Sequence, residues 1–139
     1  MLGRKTFTQD ERDSARADVD RQLAAYRAMA AAANGSAEPA LGALEPLYFN
    51  TALLALDRRF VHRVRLVAGK DGTPVNEVEL LADALMNNDG VFRGNTVIKY
   101  TPAESVLGLE EGDAIALSAD QFAQLADAFL AEIGQKFGE

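Results

Sequence analysis

Four polar residues within one stretch of the chain, positions 47–68, have the types and spacing of a binding site. Asn50 and Asp57 are seven residues apart, and Arg58 and His62 are four apart. If this stretch is helical, each pair lies on one face of the helix. These four residues are the candidate ligand-binding set, and their chemistry suits a small polar or anionic ligand.

Asn50 and Asp57 also have a structural interpretation. Both fall inside an apolar face, where an amide and a carboxylate must be hydrogen-bonded. Asp57 could pair with an arginine or cap a neighbouring helix, and the two side chains would then be part of the scaffold. The alternative to such a network is a polar ligand pocket lined by Asn50 and Asp57, with Tyr48 or Asn76 as a further lining residue.

Several kinds of chemistry lack the residues that they need. The chain has one histidine and no cysteine, so we predict no metal site and no thiolate nucleophile. It has no Ser/His/Asp set and no glycine-rich dinucleotide loop, so no catalytic residue and no cofactor are predicted. The turn GKDGT at 69–73 lacks the glycine spacing of a phosphate-binding loop.

The element that positions the four residues is a predicted helix over 47–68. Pro46 suits its first position and Gly69 its end. Apolar residues recur on one side at the helical period: Phe49, Leu53, Leu56, Phe60, Val64 and Val67.

Three further helices are predicted, over about 9–33, 74–88 and 119–136. Capping-box spacings begin the first and the last of them, at Thr8 with Glu11 and at Ser118 with Gln121. The segment 34–45 is rich in small residues and is predicted to be a mobile linker.

The pattern changes between residues 91 and 117. Two short apolar runs flank Gly94-Asn95, which is a two-residue hairpin signal, and residues 113–117 alternate as a strand does. The predicted fold class is therefore mainly α (α+β). About four helices form a bundle, with a small antiparallel β-hairpin or sheet at about 91–117 before the last helix.

Length and charge set wider limits. A chain of 139 residues predicts a single globular domain, 1–139. No signal peptide and no membrane span are expected, which favours a cytoplasmic location. The net charge of −7 makes nucleic-acid binding unlikely. Residues 104–139 hold eight acidic residues and one basic residue, and they could pack near the basic run 58–70.

Two segments, FVHRVRLVAGKDGTPVNEVELLADALMNN (60–88) and SVLGLEEGDAIALSADQFAQLADAFLAEI (105–133), resemble a family of small bacterial proteins of uncharacterised function. The resemblance spans roughly residues 44–137 and implies no active site or cofactor. Separately, LGLEEGDAIAL (107–117) resembles the loop and strand of AbrB-type DNA-binding regulators. Of the basic strand residues expected in that family, Lys99 is the only candidate.

The Arg58 and His62 pair resembles the motif of the HEPN class of helical ribonucleases. In that class an arginine and a polar residue precede a histidine on one helix. Here position 59 is arginine rather than asparagine, aspartate or histidine, and the spacing is short. The resemblance implies that Arg58 stabilises phosphate charge and that His62 acts as acid or base.

Three functions follow from these observations. The first choice is a non-enzymatic binding or interaction module, oligomeric or bound to a protein partner, with the small-residue first helix and the aromatic last helix as its interface. A HEPN-like RNA-binding or ribonuclease domain using Arg58 and His62 is one alternative. A small-ligand-binding protein with a polar pocket around Asn50 and Asp57 is the other.

Overall fold

The helical periods of the sequence determine most elements of the structure. The computed structural model describes residues 3–139, and five α-helices occur there: α1 (Gln9–Ala32), α2 (Glu38–Arg59), α3 (Arg65–Ala68), α4 (Pro74–Asn87) and α5 (Ala119–Phe137). A 3-10 helix spans Pro102–Glu104. Helix α5 packs against each of the other four α-helices, and α2 also contacts α1 and α4. The helices therefore form a bundle around α5.

The apolar stripe of α5 is the centre of the core. Its inward residues are fully or almost fully buried: Phe122, Leu125, Ala126, Phe129, Ile133 and Phe137. Aromatic rings of and after α2 pack against this stripe. The ring centroids of Phe49 and Phe122 are 5.3 Å apart, and those of Phe60 and Phe129 are 5.7 Å apart. Phe7, which precedes α1, packs edge-on against Phe60 at 4.9 Å.

Both predicted capping boxes are present. The Thr8 hydroxyl accepts a hydrogen bond from the Glu11 amide, and the Ser118 hydroxyl accepts one from the Gln121 amide. Each of these N-termini is thus specified locally. The N-terminus of α4 differs, because no side-chain bond from Thr73 caps it. The buried Glu132 carboxylate of α5 accepts a hydrogen bond from the Val75 amide instead, at 2.7 Å.

The predicted helix over 47–68 is wrong at both ends. Helix α2 begins at Glu38, so the predicted linker 34–45 is mostly helical, and Pro46 lies inside the helix, where its missing N–H removes one backbone bond. The helix ends at Arg59 because the N-terminal segment docks beyond it. The Arg4 amide donates to the His62 carbonyl at 2.6 Å, and the Val64 amide donates to the Arg4 carbonyl at 3.1 Å.

The predicted α+β class and the β-hairpin at about 91–117 are also wrong, since the described residues contain isolated bridges but no strand or sheet. The Asn95 side-chain oxygen accepts hydrogen bonds from the backbone amides of Val97 and Ile98. These bonds turn the second arm of the predicted hairpin away from the first arm. Residue Lys99 then pairs with Asp71, while Val91 pairs with Ala114. The two arms of the predicted hairpin therefore have different neighbours.

Ion pairs on the surface connect the first and last helices. Asp127 of α5 pairs with Arg16 at 2.7 Å, and Asp120 pairs with Arg27 at 3.0 Å. The acidic face of α5 thus meets arginines of α1, whereas the basic run 58–70 finds other partners. Within residues 3–139, no helix combines the length and the apolarity needed to cross a membrane.

We expect Phe129→Ala to lower the free energy of unfolding by about 3–5 kcal/mol, since it removes a fully buried ring next to Phe60. Urea denaturation measures this change. Gln124→Ala, at an exposed position of the same helix, is the matched control, and it should change the value by less than about 0.5 kcal/mol. Equal losses in the two variants would contradict the central position of α5.

Candidate functional site

Asn50 is committed to the backbone of a neighbouring segment. Its side-chain NH2 donates to the Ile115 carbonyl at 2.8 Å, and its side-chain oxygen accepts from the Leu117 amide at 3.1 Å. The carbonyl of one residue and the amide two residues later point to the same side of an extended chain. Asn50 therefore takes the place of a neighbouring strand. Its side-chain amide uses one donor and its acceptor on the backbone, so these groups are not free to bind a ligand.

Asp57 forms an ion pair with Arg63 at 2.8 Å, and the Arg63 side chain is 6% exposed. The same guanidinium donates to the Phe60 carbonyl at 3.0 Å, which satisfies a carbonyl just beyond α2. It also lies 5.2 Å from the centre of the Phe129 ring. The Asp57 carboxylate thus orients an arginine that closes the end of α2 over the core.

Arg58 and His62 do not share a helical face. Arg58 is in the last turn of α2, whereas His62 lies three residues beyond the helix and has a left-handed backbone, with φ 69°. Both are exposed, and neither forms an ion pair within residues 3–139. The arrangement on one helix that the ribonuclease resemblance implies is therefore not formed, and that function stays a prediction.

Only two of the four candidate residues line a common cavity. An open groove of about 490 Å3 between α2 and α4 contains Asp57 and Arg58, but not Asn50 or His62. Its other lining residues are acidic, amide and apolar side chains: Glu79, Asp83, Asn87, Leu54, Ala82 and Met86. Ligand binding by the four residues stays a prediction, and the structure supports at most a site built around Asp57 and Arg58.

Two buried polar residues lie at the start of α4: Asn76, which the sequence offered only as an alternative lining of the pocket, and Glu77, which it did not indicate. Asn76 is fully buried. Its side-chain NH2 donates hydrogen bonds to the Asp71 carbonyl at 2.7 Å and to the Gly69 carbonyl at 3.1 Å. Its side-chain oxygen accepts a hydrogen bond from Arg65 at 2.9 Å. Glu77, only 1% exposed, is the second. Glu77 has no signal in the sequence, because it lies off the apolar stripe of α4 and looks like an ordinary surface residue.

The Glu77 carboxylate fixes the loop before the last helix. One oxygen accepts from the Val106 amide at 2.8 Å and the other from the Leu107 amide at 3.0 Å. Burial raises the pKa of the Glu77 carboxyl above its ordinary value of 4.5, and the two amide donors offset part of that shift. Both carboxylate oxygens have backbone partners, so the group is placed to hold the loop.

An apolar surface lies where α1 and α2 meet. A groove of about 220 Å3 there is lined only by alanine, leucine and methionine side chains: Met29, Ala33, Ala37, Ala40, Leu41 and Leu44. Met29 is 45% exposed and Leu44 40% exposed, and Leu47, one helical turn further, is 68% exposed. We call these seven residues the α1–α2 surface.

The residues around the α1–α2 surface carry almost no charge. Between positions 28 and 44 the only charged residue is Glu38. The outward positions of the second half of α1 are mostly alanines, since Ala24, Ala25, Ala28, Ala31 and Ala32 are all exposed. A helix with such small side chains allows close approach of another helix.

The comparisons with known proteins add no function. No family model, no curated protein and no solved structure matches the chain. Among the described residues, no group of three or more histidine, cysteine, aspartate or glutamate side chains could hold a metal ion.

We expect the stability of wild type relative to Glu77→Gln to fall as the pH rises. The raised pKa of Glu77 means that the folded protein binds this proton more tightly than the unfolded chain does. The resulting stability is present below pH 4.5 and is lost as the pH rises through the folded pKa. Urea denaturation of both proteins, at pH values from below 4.5 to above the folded pKa of Glu77, measures the difference in the free energy of unfolding. Glu104→Gln, at an exposed position, controls for the loss of one carboxylate, and a pH-independent difference at Glu77 would contradict the assignment.

We expect His62→Gly to raise the free energy of unfolding by up to about 1 kcal/mol, because glycine adopts a positive φ without the steric cost that histidine pays. Thermal unfolding measures the change. Ala55→Gly, at an exposed position inside α2, should instead lower stability by about 1 kcal/mol. A loss of stability in His62→Gly would show that the imidazole makes a contact that outweighs its backbone strain.

Proposed function

We propose that the protein is a non-enzymatic interaction module that self-associates through the α1–α2 surface. The observation that carries this proposal is a groove with an entirely apolar lining on a chain with a net charge of −7. Exposed, contiguous apolar side chains are typical of interaction sites. We keep the predicted cytoplasmic location as part of the proposal.

The charge of the chain favours a second copy of the same protein as the partner that binds the α1–α2 surface. Two molecules that each carry −7 repel one another, so they approach best where the local charge is small. In a two-fold dimer the same patch meets itself, and an uncharged apolar patch is complementary to its own copy. Residues 28–44, with Glu38 as their single charge, meet both conditions.

Helix α5 takes no direct part in this proposal. The predicted interface included the aromatic last helix, but Phe122, Phe129 and Phe137 are fully buried in the core of one chain. The exposed alanines of α1 keep their predicted part, because they border the α1–α2 surface and leave room for a second helix.

We expect the wild-type protein to sediment as a dimer at protein concentrations of tens of micromolar. The double variant Met29→Glu with Leu44→Glu should sediment as a monomer, because four introduced carboxylates would meet at the two-fold axis of the dimer. Analytical ultracentrifugation over a concentration series measures the state. Both side chains are substantially exposed, so the variant should fold with an unchanged circular dichroism spectrum.

The matched control is the double variant Leu66→Glu with Met86→Glu. These residues are 85% and 67% exposed and lie outside the α1–α2 surface, so the control should remain dimeric. A wild-type monomer at every concentration, or equal dissociation of both double variants, would overturn the proposal.

A further inference from the structure

The segment Asp113–Leu117 is an extended stretch that is bonded along one edge. The Phe92 amide donates to the Asp113 carbonyl at 2.8 Å, and the Ile115 amide donates to the Gly90 carbonyl at 2.8 Å. The two bonds from Asn50 to Ile115 and Leu117 continue the same edge. Side chains alternate as in a strand, since Ile115 and Leu117 are buried while Ala114 and Ala116 are exposed.

The opposite edge has no partner within the described residues. In an extended chain the N–H and C=O groups of alternate residues point to opposite sides. Because residues 113, 115 and 117 use the inner side, the backbone groups of Ala114 and Ala116 point outward. No described residue forms a hydrogen bond with them. Two amides and two carbonyls are thus available, in the arrangement that an added strand requires.

The charge around this edge selects its occupant. Between residues 100 and 135 there is no lysine, arginine or histidine. Asp120 is paired with Arg27, and three carboxylates that form no ion pair among the described residues lie before or at the start of the segment: Glu110, Glu111 and Asp113. Pairing this edge with the same edge of a second copy would bring six such carboxylates together, which is unfavourable. A partner strand with lysine or arginine side chains is favoured by the same carboxylates.

We infer that the outer edge of Ala114–Ala116 is a docking site for an extended, basic peptide segment of a partner protein, which adds to it as a strand. The backbone bonds give affinity, and the flanking carboxylates select for positive charge. The exposed side chains at the edge are methyl groups, so they leave room for a neighbouring strand. This site does not depend on the α1–α2 surface, and it acts equally in a monomer or a dimer.

The probe is an acetylated and amidated peptide in which lysine and valine alternate, titrated into the 15N-labelled full-length protein. We expect the Ala114 and Ala116 amide resonances to shift and their hydrogen exchange to slow by about tenfold. The Ile115 and Leu117 amides, already bonded, should be protected without peptide. A peptide in which glutamate and valine alternate should leave the Ala114 and Ala116 resonances unchanged.

Two further measurements separate strand addition from charge attraction. A lysine–valine peptide that is N-methylated at every residue keeps its charge but has no backbone N–H donor on either edge. It should bind about tenfold more weakly, which corresponds to one or two lost hydrogen bonds. Ala116→Pro removes a donor from the protein edge and should weaken binding of the unmodified peptide to a similar extent.

The N-methylated peptide leaves the protein unaltered, so the test holds even if Ala116→Pro fails to fold. Equal binding of the methylated and unmodified peptides, or absence of shifts at Ala114 and Ala116, would overturn the inference. The state of association in the ultracentrifuge is a separate readout, so failure here and failure of self-association are distinguishable.

Discussion

The segments 69–73 and 88–117 connect α-helices without forming a sheet, and their backbone polar groups must still find partners. Side chains of the helices supply them. The Glu77 carboxylate accepts hydrogen bonds from the backbone amides of residues 106 and 107. The Asn76 side chain donates to the backbone carbonyls of residues 69 and 71. The Asn50 side chain bonds to the carbonyl of residue 115 and to the amide of residue 117. Leaving such groups unpaired in the interior would cost about 1–3 kcal/mol each. The positions of the backbone at 69–71, 106–107 and 115–117 therefore depend on three helical side chains.

The two polar residues that the sequence places inside the apolar face of α2 have structural partners of the same kind. Asn50 and Asp57 have the composition of a pocket, but each is bonded to protein groups. A side chain that replaces a strand satisfies only one edge of the segment that it holds. The edge at Ala114 and Ala116 stays open for that reason, and the structural role of Asn50 and the proposed peptide site have a common origin.

Charge separates the surfaces of the molecule into regions of different character. Arginines on α1 pair with the acidic face of α5, and Arg59, Arg63 and Arg65 pair with Asp18, Asp57 and Glu79. Positive charge is therefore largely used within the chain. The two proposed docking sites are a neutral apolar surface, which suits a second copy, and an acidic edge, which suits a basic segment. The two proposed interactions differ in chemistry and do not compete for the same partner.

The sequence by itself determined the features that depend on neighbours within one or two turns. The helices around Ala15, Val78 and Phe129, and the caps at Thr8 and Ser118, could be predicted because their periodicity and hydrogen bonds are local. The end of α2 and the absence of the hairpin could not. Arg4 interrupts the helix from nearly sixty residues away, and the two arms of the predicted hairpin pair with Asp71 and Ala114, more than twenty residues from Lys99 and Val91. Contacts over such separations leave no periodic pattern in the chain. Tertiary structure alone decided that the four candidate residues would separate, and that Asn76, Glu77 and Glu132 would be buried.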